Sequence, residues 1–214
     1  MAQTPVQIRN DKLAEKVVKA LNSRHFEAYY CPTKEAALEK ALSLIPKTDV
    51  VAWGGSETIK QIGLWQYVID NGYTVINRDL GKTPEERTEL MRKALTCDTF
   101  LMSSNAVSED GQLVNVDGNG NRVAALMFGP KQVIVIAGIN KVVKSAEDAV
   151  VRARTVAAPI NVQRYAENKT PCNITGTCED CISADCICAN VVTTRISRPA
   201  KKIKVILVGE LMGF

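Results

Sequence analysis

The residues with the most chemistry to offer are cysteines. The chain has seven, and five of them fall in one short stretch as Cys172-x5-Cys178-x2-Cys181-x4-Cys186-x1-Cys188. A C-x2-C pair lets two thiolates reach one metal from a single tight turn, and Gly176 supplies the freedom to bring Cys172 round to join them. Four-sulfur tetrahedral coordination suits zinc or an iron–sulfur cluster, and the spacing does not choose between them. The C-x2-C-x2-C-x3-C-P run of a ferredoxin is missing, which points to a single site rather than a chain of clusters. The alternative is a surface loop of free thiols. Cys31 and Cys97 follow apolar stretches and read as ordinary buried cysteines.

A second chemical signal lies at Asp49 to Gly63, DVVAWGGSETIKQIG. Val50, Val51 and Trp53 make a short buried strand, Gly54 and Gly55 follow, and Ser56-Glu57-Thr58 opens a helical pattern that runs to about Asn71 with Gly63 tolerated inside it. A strand that turns through glycines into a helix start exposes free backbone N–H groups at a positive dipole end, a geometry that binds phosphate or carboxylate. Ser56 and Thr58 add hydroxyls. The alternative is a tight turn in which Ser56 caps the helix and no ligand is held.

A third signal is the polar segment 104–131, SNAVSEDGQLVNVDGNGNRVAALMFGPK. Turns at Ser108–Gly111 and Asp117–Asn121 flank an alternating strand at 112–116, an antiparallel excursion. Turn chemistry explains its glycines. It explains less well why Asn105, Glu109, Asp117, Asn121 and Arg122 gather at one edge, although a polar hairpin facing solvent has the same composition. The single histidine, His25, excludes any site built on more than one imidazole.

These residues need a scaffold, and the apolar pattern supplies one. Helices are expected over 11–22, 34–45, 83–96 and 145–157, the third opened by Thr83-Pro84-Glu85-Glu86. Strands are expected at 26–30, 49–53, 73–77, 98–103, 133–137 and 203–208. Strand and helix alternate and several strands are continuously apolar, so the fold class is α/β, with a mainly parallel sheet and helices on both faces. In such sheets ligands sit at the carboxyl ends of the strands, where the polar excursion begins. One domain over residues 1–214 is expected, with a cysteine-rich metal-binding insertion at about 171–190.

Composition narrows the function classes. The chain is 46% hydrophobic and 23% charged with a net charge of +4, an ordinary globular balance. So mild a basic tilt, with only 5% aromatic residues, argues against nucleic acid. No apolar run approaches the ~20 residues of a membrane span, and the N-terminus lacks the apolar core of a signal peptide. A cytoplasmic location is therefore expected, where clustered cysteines bind metal more often than they form disulfides. No G-x-G-x-x-G opens a βα unit, so neither a nicotinamide nor a flavin cofactor is indicated.

Four stretches in order, WGGSETIKQIG, SNAVSEDGQLVNVDGNGNRVAALMFGPKQVIVIAGINKVV, PCNITGTCEDC and VILVGELMGF, resemble the lactate-utilisation family of LUD-domain proteins. The resemblance runs from about residue 5 to the end of the sequence. It implies a fold similar to ribose-5-phosphate isomerase, glucosamine-6-phosphate deaminase and the coenzyme A transferases. In those relatives a glycine-rich loop holds phosphate, which would put Gly54, Gly55, Ser56 and Thr58 in an anion cradle, with Asn105, Asp117, Asn121 and Arg122 as further ligand contacts. Ser108-Glu109-Asp110-Gly111 is similar to the transferase Ser-Glu-Asn-Gly motif that carries a nucleophilic glutamate, with Asp for Asn and Leu113 where that motif has glycine. Glu109 is accordingly the candidate catalytic residue.

The family's cysteine pattern has arginine where this chain has Cys186, which leaves Cys172, Cys178, Cys181 and Cys188 as the implied metal ligands. The resemblance implies a part in oxidation of lactate to pyruvate, with a small anionic ligand and iron–sulfur oxidoreductase subunits as partners. The rivals are an isomerase or acyl/CoA transferase acting on a sugar phosphate or thioester, and a non-catalytic assembly subunit. Whether the chain is itself an enzyme, and its oligomeric state, stay open at the level of sequence.

Overall fold

The computed structural model describes residues 3–214. Its strands are β1 (Glu27–Cys31), β2 (Val50–Trp53), β3 (Thr74–Ile76), β4 (Thr99–Met102), β5 (Ala106–Ser108), β6 (Leu113–Asp117), β7 (Gln132–Gly138), β8 (Val142–Val143), β9 (Asn190–Thr194) and β10 (Ile203–Val208). Its α-helices are α1 (Pro5–Ser23), α2 (Lys34–Ser43), α3 (Glu57–Gln61), α4 (Leu64–Asp70), α5 (Pro84–Ala94), α6 (Asn121–Met127), α7 (Ala146–Arg152), α8 (Ala158–Val162) and α9 (Pro171–Thr175).

Six strands form one sheet in the order β1-β10-β7-β4-β2-β3, and every pairing in it is parallel. Successive side chains point to opposite faces of a strand, so both faces must be apolar. On β7, Val133 and Val135 join α1, α5 and α6 through Val17, Leu21, Ala94 and Leu126. Ile134 and Ile136 face the other way, against Ala37 and Ala41 of α2, Ile59 of α3 and Leu64 of α4. The expected α/β architecture is therefore present.

A smaller sheet, β8-β5-β6-β9, grows from the carboxyl end of β4. The antiparallel pair β5–β6 is the expected excursion, but it is not a hairpin facing solvent. Every residue of β6 is buried, and Asn115 is 0% exposed. The strand β9 pairs antiparallel with the edge of β6, and Ala149, Ala153 and Ala158 pack on Val114 and Val116.

Local signals explain most boundaries. Thr4 and Gln7 form a reciprocal capping box with Pro5 at the first helical position, so α1 starts earlier than residue 11. The helix expected from Ser56 to Asn71 is broken, because Gly63 adopts φ 74° and restarts the chain as α4. The helix expected over 145–157 ends at Arg152, and a π-helical turn at Ala153–Ala157 carries the chain into α8. Residues 121–127, taken with the polar excursion, form the helix α6, whose Val123, Ala125 and Leu126 are buried.

Candidate active site: a polar cavity at the carboxyl edge of the sheet

The carboxyl ends of β2, β3, β4 and β7 deliver Gly55, Arg78, Ser103 and Lys141 to one cavity of about 400 Å³. This is the edge at which open parallel sheets hold ligands. Its remaining wall comes from β6, from α8 and the segment after it, and from the cysteine segment through Asp185, Cys186 and Ile187.

The glycine turn is built for close approach. Gly54 gives its N–H to Leu101 O at 3.0 Å, and a Cβ there would lie 3.0 Å from Arg122 Cδ. Gly54 thus makes room for the Arg122 stem and lies outside the cavity lining. A Cβ on Gly55 would come within 2.5 Å of Arg78 Nη2. Ser56 caps α3, its Oγ accepting from Ile59 N at 3.3 Å, which leaves the other N–H groups of that first turn without intrahelical partners.

Arg122 looks like a ligand-binding arginine but is consumed by the protein. Its Nη1 donates to Ser103 O at 2.9 Å and Asn115 Oδ1 at 2.6 Å, and its Nη2 to Asn105 Oδ1 at 2.9 Å and Val116 O at 2.7 Å. Asp117 Oδ2 lies 3.5 Å from Nε. Burial pulls the guanidinium below its ordinary value while Asp117 opposes that pull. Arg122 is the strut that fixes β6 against the end of β4, and Asn105 is part of the same lattice, accepting Val116 N at 3.0 Å. Asp117 also holds the turn before α6 by accepting Gly120 N at 2.9 Å.

Two further cations of the lining, Arg78 and Lys141, were not singled out in the sequence. Arg78 follows β3. Its Nε is buried without a hydrogen-bond partner among the described residues, the nearest carboxylate oxygen, on Asp79, being 3.8 Å away. Lys141 follows β7 and is 3% exposed. Its Nζ donates to Ser103 Oγ at 2.9 Å, Thr58 Oγ1 at 3.1 Å and Ser104 O at 3.2 Å. No carboxylate among the described residues is bonded to it. Burial, with Arg152 and Arg122 nearby, pushes this amine down to about 7. The terminal segment closes over it, Met212 N donating to Asn140 Oδ1 at 3.0 Å and Gly213 N to Gln61 Oε1 at 2.8 Å. Both residues could have been flagged as cations placed just past apolar strands.

Of the residues expected at the site, Gly55, Ser56, Thr58, Asn105, Asp117, Asn121 and Arg122 line the cavity together. Glu109 does not join them. It sits at the end of β5 with its Oε2 shared between Lys16 at 2.5 Å and Lys144 at 3.1 Å. Those two hydrogen bonds hold its carboxyl below the usual range.

The five clustered thiols are all half-buried, and Cys186 is the one that reaches the cavity. Burial, then the neighbouring Cys186, Cys178, Cys181 and Cys172, raise the Cys188 thiol, so the five share one neighbourhood. Their chemistry suits a thiophilic metal. Among the described residues, no group of three or more His, Cys, Asp or Glu side chains is arranged to hold a metal ion. The segment is pinned instead by Arg154 to Asp180 and by Asn168 Nδ2 to Asp185 O at 2.9 Å.

The fold is an α/β domain whose parallel sheet has at its carboxyl edge a polar cavity lined by Arg78, Arg122, Lys141 and Arg164 together with Glu57, Asp117 and Asp185. The particular family is the LUD domain family, to which the chain belongs: the family's model matches residues 14–208. A solved DUF162 family protein from Deinococcus radiodurans is similar over 94% of this chain and 98% of its own, with a TM-score of 0.55 and 13% identity. Ribose 5 phosphate isomerase A from Neisseria gonorrhoeae is similar over 53% of this chain and 54% of its own, with a TM-score of 0.34 and 15% identity. The delta chain of eIF2B from Chaetomium thermophilum gives a TM-score of 0.34 at 15% identity, over 51% of this chain and 48% of its own. No curated protein matches the chain. No described helix is long and apolar enough to cross a membrane.

Proposed function

We propose that the chain is a lactate-utilisation protein that binds a small anionic ligand between the Gly55 turn, Arg78 and Lys141. The observation that carries this reading is Arg78, whose buried Nε has no hydrogen-bond partner among the described residues. Arg78, Arg122, Lys141 and Arg164 line the cavity with Glu57, Asp117 and Asp185, and Arg122 is set against Asp117 at 3.5 Å. A buried donor without an acceptor is costly, and an anion in the cavity would satisfy it. A lactate or pyruvate carboxylate has the right charge, and the family supplies the link to lactate oxidation with iron–sulfur oxidoreductase subunits as partners.

One observation favours a second reading. Amides of Asn119, Asn121, Asn161 and Asn168 also line the cavity, a surface suited to the hydroxyls of a sugar phosphate. The acyl-transferase rival has less support, since Glu109 lies outside the cavity and is already neutralised by two lysines. The metal reading is retained for Cys172, Cys178, Cys181 and Cys188, and requires the segment to rearrange around zinc or an iron–sulfur cluster. No chemical step in the cavity depends on it.

Thermal-shift titrations with lactate, pyruvate, ribose 5-phosphate and coenzyme A esters test the assignment. Stabilisation by the first two, competed by inorganic phosphate, is expected. Stabilisation by coenzyme A esters alone, lost in Glu109→Ala, would replace it with the transferase reading.

A further inference from the structure

We infer that Lys141 is a nucleophile that captures a carbonyl: the cavity takes a 2-oxo carboxylate and holds it as an imine on Lys141 Nζ. This rests on the anion-cavity reading and adds a covalent bond to it.

Three placements carry the inference. Lys141 Nζ lines the cavity from a buried position, with no carboxylate bonded to it among the described residues. Its neighbours are the hydroxyls of Thr58 and Ser103 and the carbonyl of Ser104. Thr58 belongs to the same turn as Gly55, against which the free side of Arg78 lies. A carboxylate held at Arg78 and the turn would share the cavity with the amine. Burial and the two flanking arginines favour an uncharged amine, as a nucleophilic lysine requires.

The step balances without an oxidant. The Nζ lone pair attacks the carbonyl carbon and one Nζ proton passes to the carbonyl oxygen, giving a neutral carbinolamine. The second Nζ proton then passes to the hydroxyl as it leaves as water, so amine plus ketone become imine plus water. The Thr58 and Ser103 hydroxyls touch Nζ and can relay those protons. Lactate, with a hydroxyl in place of the carbonyl, binds but cannot react.

The test incubates the full chain with pyruvate and sodium borohydride, which reduces the imine to a stable amine. The expected result is one adduct per chain with the mass of pyruvic acid less one oxygen atom, on the peptide that contains Lys141. It should be absent with lactate and in Lys141→Arg, and suppressed by inorganic phosphate. Mapping on the unsubstituted chain keeps the result independent of whether the variant folds. No adduct, or adducts confined to other lysines, overturns the inference. Calorimetry with pyruvate on the same preparation separates the cases: binding without an adduct removes only the imine, whereas neither binding nor adduct removes the anion reading as well.

Discussion

Arg78 occupies the space that a side chain on Gly55 would need, since a Cβ there would sit 2.5 Å from Nη2. The absent side chain brings a guanidinium against a backbone turn that lines the same cavity. Gly55→Val should displace Arg78 and weaken anion affinity by about tenfold, the equivalent of one lost charged hydrogen bond. Gly55 is itself exposed, so the melting temperature should change little. Calorimetry with inorganic phosphate, beside a thermal melt, checks both parts.

Arg122 should behave oppositely, as a determinant of stability. Four hydrogen bonds and Asp117 tie it to β4 and β6. Arg122→Leu takes the donor away from Asn115 Oδ1, Asp117 Oδ2 and the Ser103 and Val116 carbonyls and should cost about 3–5 kcal/mol in urea unfolding. Gly54→Ala crowds the same stem and should cost about 1–3 kcal/mol. A loss below 1 kcal/mol for Arg122→Leu, roughly the value of a surface pair, would contradict the strut.

The contrast between these arginines marks what was legible in the sequence. The glycine turn, the parallel strands and the polar edge have local signatures: a β-branched run, a glycine pair, a cap. From them follow the α/β class and the positions of Gly55, Ser56, Thr58 and Asn121. Whether a cation is free or spent depends on acceptors far along the chain. Arg122 is satisfied by carbonyls of Ser103 and Val116, and Arg78 Nε is left without a hydrogen-bond partner among the described residues, which no local pattern reports. Glu109 shows the same limit, because Lys16, which neutralises it, lies on α1. The break at Gly63 was visible as a glycine but read as tolerated, since a glycine permits a φ of 74° without requiring it.

Lys141 should leave a signature in the pH dependence of stability. Its ordinary value of 10.5 falls to about 7 in the fold, so between those limits the unfolded chain binds the extra proton. Stability contributed by this group therefore rises as pH increases from about 7 to about 10. Lys141→Met removes that rise, and the stability difference between variant and wild type should narrow or reverse toward the alkaline end. Urea unfolding of both proteins at several pH values measures it; parallel curves would mean that the amine titrates normally.

The cysteine segment should respond to metal separately from the main sheet. Residues 171–190 have Ile174, Ile182 and Ile187 as aliphatic anchors, and Ile174 and Ile182 are exposed. Ordering such a segment costs roughly 1–2 kcal/mol per residue in backbone entropy, which metal–thiolate bonds would offset. Chelation, or Cys178→Ser, should make this segment protease-sensitive while the helical circular dichroism persists. Anaerobically purified protein with neither zinc nor iron, and with freely titrating thiols, would leave only a surface loop.

The most direct measurement is a calorimetric titration of pyruvate and of inorganic phosphate into the wild-type chain and into Arg78→Leu. Arg78 has little to lose in the protein, so the variant should fold normally. If its guanidinium anchors the ligand, affinity for both anions should fall by about 10–100-fold, the value of a charge-assisted hydrogen bond. Equal affinities in the two proteins would mean that the anion, if bound, lies elsewhere, and the cavity would lose its assignment.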